Sequence, residues 1–131
     1  MPLYLEDDEF TEGHLPGDVA QRSTPSQRHQ HVSAASSEAD GYLRTAGYTL
    51  PLNEWGPDLQ TNVGAIAAYR LAVTLGLLPE PAQQSALYLN FKAAIRWLEG
   101  VVDGSITPDV AAPGVVPGQG PSIKSDERRG W

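Results

Sequence analysis

Residues able to do chemistry are few in this chain of 131 residues, and their spacing argues against most of it. There is no cysteine, which excludes disulfide frameworks, thiolate zinc sites and Cys nucleophiles and fits a reducing compartment. His29 and His31 sit two apart. On a helix they point about 200° from each other and cannot share a metal; in an extended segment they could. His14 stands alone in sequence, and all three read as surface histidines. The run Glu6-Asp7-Asp8-Glu9 lacks the alternating oxygen ligands and the glycine of an EF-hand loop, so it reads as a solvated or interface face. Ser33, Ser36 and Ser37 come without a G-x-S-x-G elbow or a Ser-x-x-Lys. Gly118-Gln119-Gly120 has no strand before it, and no P-loop or dinucleotide fingerprint is present. The expectation is a protein that is not an enzyme and needs neither cofactor nor metal.

Three places invite a binding role instead. Arg70 lies inside an apolar stretch, where an unpaired guanidinium would face a desolvation penalty of several kcal/mol. It is expected to pair with Asp40 or Glu38 or to reach solvent at a helix crossing, or else to make a subunit contact. Trp97 falls off the apolar stripe around it and either roofs the core edge or sits at an interface. Arg128-Arg129-Gly130-Trp131 is the third place: it holds the only adjacent basic pair in an acidic chain, beside a tryptophan. Trp and Arg are the residue types most enriched among binding hot spots. The expectation is that Arg128, Arg129 and Trp131 bind a partner, with the ring in an apolar pocket and the arginines on carboxylates.

The elements that must position these residues are helical. Thr24-Pro25-Ser26-Gln27 reads as N-cap, proline at N1 and a capping-box glutamine. Val32, Ala35, Ala39, Tyr42, Leu43 and Ala46 then recur on one helix face, and Gly47 suits the position after the end, predicting a helix over 25–46. Gly41 inside it costs about 1 kcal/mol relative to Ala. Either another helix crosses close there, or the glycine is simply tolerated. Residues 48–52 form a short extended connector. Pro57 opens a second helix, 57–77, whose stripe of Leu59, Val63, Ile66, Ala67, Val73 and Leu77 is widened by further apolar positions, making it the most buried. Pro81 opens a third, 81–103, carrying Leu87, Phe91, Ala94, Ile95, Leu98, Val101 and Val102. A short helix over about 6–12 precedes them, followed by an irregular loop through 16–23.

Composition sets the frame. The length fits one domain. Gly and Pro number 13 and 11 and gather late, from Pro108 to Pro121. That places a boundary near Asp109: a helical domain over 1–109, then an extended, flexible C-terminal tail over 110–131. The fold class is all-α, a small bundle of three long helices plus a short N-terminal one. Nine Lys and Arg against sixteen Asp and Glu give a formal net charge of -7, which argues against non-specific duplex binding. No apolar run reaches bilayer length and no secretory signal is read at the start.

Four segments carry a resemblance. Glu38-Ala39-Asp40-Gly41-Tyr42-Leu43 with Tyr48-Thr49-Leu50-Pro51-Leu52 resembles the I-D-G-Y-L…Y-x-L-P-L signature of the Mu-like phage small virion proteins, among the head–tail connector (adaptor, or head-completion) proteins of tailed phages. Ala67-Ala68-Tyr69-Arg70-Leu71 is similar to that family's A-x-Y-R-L helix. Residues 91–106 resemble its Y-x-x-A-L-x-W-L-x-x-I-x-x-G-x-I ending, with Phe91 for the usual Tyr, as Ala39 stands for the usual Ile. The resemblance covers about residues 32–107, in order and at similar spacing.

It implies a structural virion protein, found at the neck of the particle and in the host cytoplasm during assembly. Such adaptors form a ring, commonly twelve-fold, beneath the portal protein. They extend the DNA channel and give the tail or a stopper protein its platform. DNA passes through without sequence-specific binding, and no membrane is involved. On this reading the portal is the partner of Arg128, Arg129 and Trp131. Net charge of this sign repeated around a ring would repel phosphates and let DNA slide. The alternative is a small soluble helical interaction or regulatory protein that binds a partner through its C-terminal tail.

Overall fold

The computed structural model describes residues 3–78 and 85–111. Among them are five helices and one two-stranded sheet: α1 (Asp7–His14), α2 (Gly17–Arg22), α3 (Pro25–Thr45), β1 (Glu54–Trp55), α4 (Pro57–Leu75), α5 (Ala86–Asp103) and β2 (Val110–Ala111). The protein is all-α with a minimal sheet. The start of α3 follows its sequence signal. The Thr24 hydroxyl accepts from the Gln27 amide at 3.1 Å, and the Gln27 side chain accepts from the Thr24 amide at 2.9 Å. Pro57 likewise opens α4.

The other ends correct the expectation. α4 stops at Leu75, not 77, because Gly76 takes a left-handed conformation, φ 70°, that closes the helix. The Leu78-Pro79 signal lies beyond an end already made. α5 begins at Ala86 rather than at 81. Ser85 is extended and its hydroxyl accepts from the Tyr88 amide at 3.1 Å, so the cap is a serine; Pro81 lies outside the described residues. Residues 17–22, expected as irregular loop, form α2, which buries Val19. α2 has one buried residue, too little for a periodic signal.

Two residues beyond the expected boundary near Asp109 are packed on the helical body. Val110 and Ala111 are buried and pair antiparallel with β1, Trp55 opposite Val110 and Glu54 opposite Ala111. The Asn53 amide donates to the Ala111 carbonyl at 2.7 Å, and Gly56 to Asp109 at 2.8 Å. A two-residue strand leaves no periodicity to read, so composition alone had set the boundary.

α4 is the central element. It packs on both α3 and α5, which also touch each other, and α1 and α2 close over it. Leu59, Val63, Ile66, Ala67, Leu71 and Ala72 of α4 are fully buried. Leu43, Ala39 and Val32 meet them from α3, Ala94, Leu98 and Val101 from α5, and Phe10 from α1. The stripe runs out at the last turn of α4, where Val73 is 49% exposed.

Candidate functional site

The polar side chains inside this core serve the fold. Asp40, 2% exposed, accepts a hydrogen bond from the Tyr4 hydroxyl. The Tyr4 amide donates to the Ser36 hydroxyl at 3.2 Å, and Gln60 donates to the Tyr4 carbonyl at 3.1 Å. The Tyr4 ring stands edge-on to Trp55 at 4.7 Å. Burial, and then the Asp40 carboxylate, push the Tyr4 hydroxyl far above its ordinary ionisation range. The residues before α1 are thus stitched across α3, α4 and β1. The sequence pattern gives little sign of this junction: Tyr4 stands outside any periodic segment, and the only signal is a carboxylate in the α3 apolar face.

Asp40 is therefore not the partner of Arg70. Arg70 pairs with Glu38, the other expected candidate, through both terminal guanidinium nitrogens, and lies 5.4 Å over the Phe91 ring. Phe91 stacks on Tyr69 at 4.5 Å, and Tyr88 meets Tyr69 edge-on. One ion pair and one aromatic cluster lock α3, α4 and α5 together, with Arg70 still 40% exposed at the surface. Trp97 is half-buried against the core. Among the described residues no hydrogen bond, ion pair or ring contact joins Arg70 to Trp97. Arg128, Arg129 and Trp131 lie outside the described residues.

The acidic run spends itself on the start of α1. Glu9 accepts from the Glu6 amide at 2.9 Å, and Asp7 takes a two-pronged bond from Arg28, at 2.7 and 3.2 Å. That guanidinium holds the Asp7 carboxyl below its ordinary range. Arg28 also donates to the Ser23 carbonyl and hydroxyl, so one side chain ties α1, the end of α2 and α3. Of the histidines, His29 is exposed on α3 and His31 half-buried. Burial lowers the His31 pKa, as does the charge of Arg70. His14 ends α1 and lies flat against α4 at Gly64, where a Cβ would overlap the imidazole. Burial lowers its pKa too. Among the described residues no cluster of three His, Cys, Asp or Glu could hold a metal ion.

Two of the concavities among the described residues are sizeable. One, ≈ 420 Å³, lies where His14, Asn62, Ala65, Ala68, Asn90 and Ala93 converge between α1, α4 and α5. The other, ≈ 370 Å³, is a notch between α3 and α5 lined by Glu38, Gly41, Tyr42, Thr45, Glu99 and Val102. Gly41 forms its floor because nothing crosses there: a Cβ at Gly41 would meet no atom within 4 Å. Of the two readings open for this glycine, tolerance holds.

The family model described as Bacteriophage Mu, Gp36 matches residues 11–124. The chain belongs to that family. The match reaches beyond the segments that carried the resemblance, taking in the second half of α1, all of α2 and residues past β2. This is a phage protein of the Gp36 family. No curated protein and no solved structure matches it. Among the described residues no helix is long and apolar enough to cross a membrane.

Proposed function

We propose that this Gp36-family chain is a structural virion protein, a head–tail adaptor that assembles as a ring beneath the portal, continues the DNA channel and seats the tail. The family match over residues 11–124 carries the reading. The architecture supports it. Three long helices locked by a buried core, an ion pair and an aromatic cluster make a rigid wedge, the kind of body that repeats around an axis without deforming. Charge supports it as well. Residues 1–111 hold 14 acidic and 6 basic side chains, a net of -8 on the body alone. Repeated around a ring, that charge repels DNA phosphates, so the genome passes rather than adheres.

The test is genetic. A phage with a nonsense codon early in this reading frame should fill heads with DNA and build free tails that do not join, and supplying the protein in trans should restore joining. Tailed, infectious particles from the nonsense phage would end the adaptor reading.

A further inference from the structure

The notch between α3 and α5 is walled by the half-buried Tyr42 ring and by Val102, an aliphatic side chain 37% exposed. The Thr45 hydroxyl is already used as a donor, to the Gly41 carbonyl at 2.9 Å. The walls therefore favour an apolar occupant over a polar one. Two carboxylates stand at the rim. Glu38 is taken by Arg70, whereas Glu99 is exposed and makes no ion pair among the described residues. An apolar socket with an unpaired anion at its edge calls for an aromatic residue preceded by a cation.

We propose that this notch is the docking site of residues 128–131 of the same chain, with Trp131 in the socket and a guanidinium of the Arg128-Arg129 pair on Glu99. Charge divides the chain in the sense required. The body carries -8, while residues 112–131 carry three basic and two acidic side chains, a net of +1. Reach is sufficient. From Ala111 to Arg128 the backbone can span roughly 55–60 Å, against a radius of gyration of about 13 Å for a body of this size. The tether also selects the source. A linked segment presents itself at an effective concentration on the order of millimolar, which exceeds that of free copies at micromolar protein. The contact does not depend on the adaptor reading.

The absence of native cysteine makes the test clean. In the full chain at low micromolar concentration, Thr45→Cys is combined with Gly130→Cys, leaving Trp131 in place. The control joins Gly130→Cys to Ser37→Cys, exposed on α3 about 100° around the helix from Glu38. Disulfide formation under a mild oxidant is followed on denaturing, non-reducing gels, with circular dichroism to verify folding. The notch pair should close as a monomer about tenfold faster than the control. Val102→Cys on the opposite wall should show the same preference if Thr45→Cys disturbs the helix. Trp131→Ala or Glu99→Lys should bring the notch pair down to the control rate. Equal rates at the notch and at Ser37 overturn the proposal, and so does a disulfide-linked dimer as the product, which would seat the segment on another copy.

Discussion

Asp40 is buried in α3 and answered by the hydroxyl of Tyr4, a residue 36 positions away. Removing one partner of such a pair leaves the other buried without its bond, at a cost of about 1–3 kcal/mol and more for a charged group. Tyr4→Phe should therefore lower stability by at least about 1 kcal/mol in urea unfolding, with the slope unchanged. An unchanged midpoint would mean that Asp40 finds water instead. His14 and His31 make a second claim at this scale. Both are held below their ordinary value of 6.5 by burial, so between 6.5 and the lowered folded value the unfolded chain binds more protons than the folded one. Stability then rises with pH through that window and falls on acidification through it. The Asp7–Arg28 pair adds nothing there, because a lowered carboxyl loses its contribution only as pH falls below 3.8. Urea unfolding at pH about 7 and about 5 should show a loss on acidification that shrinks in the His14→Gln/His31→Gln double variant. A loss of equal size in both proteins would assign the pH dependence to other groups.

At the scale of elements, one substitution at two glycines should act with opposite sign. Gly41→Ala removes a glycine from the interior of α3 where a methyl meets nothing, so stability should rise by about 0.5–1 kcal/mol. Gly64→Ala pushes a methyl into the His14 ring and should destabilise by about 1–3 kcal/mol through overpacking of α1 on α4. Thermal melts of both variants check this; the same sign in both would contradict the packing described. Gly64 also shows what stayed illegible in the sequence. It lies within an apolar helix that needs no explanation until α1 is known to cross it. The three long helices were legible because their caps are local chemistry: Thr24 with Gln27, Pro57 at N1, glycine at the ends. What failed was local too but weaker. Ser85 caps as well as a proline starts, yet Pro81 offered the louder signal. α2 and β2 are too short for periodicity, and pairing across about 55 residues, Trp55 with Val110, leaves no mark in either segment. Of the candidate site, a carboxylate partner for Arg70 was legible from burial cost, but that cost could not choose Glu38 over Asp40. The α3–α5 notch was not, since Gly41 reads alike whether a helix crosses it or solvent does.

For the whole molecule, the core around α4 predicts that Leu98→Ala and Ile66→Ala each cost about 2–5 kcal/mol, since both side chains are fully buried. Losses below about 1 kcal/mol would mean that α5 is not docked as described. A rigid body of this kind matters to the proposed role, because an adaptor ring transmits the seating of the tail to the portal only if each wedge holds its shape. That role makes a quantitative demand on the particle. The measurement that meets it most directly is quantitative mass spectrometry of phage particles purified through a density gradient, with peptides of this chain and of the portal protein counted in the same digest. The chain should be present in every preparation at a copy number matching one ring, comparable to that of the portal. Purified, infectious particles that lack the chain, or that carry it in hundreds of copies as a shell protein would be, would contradict it.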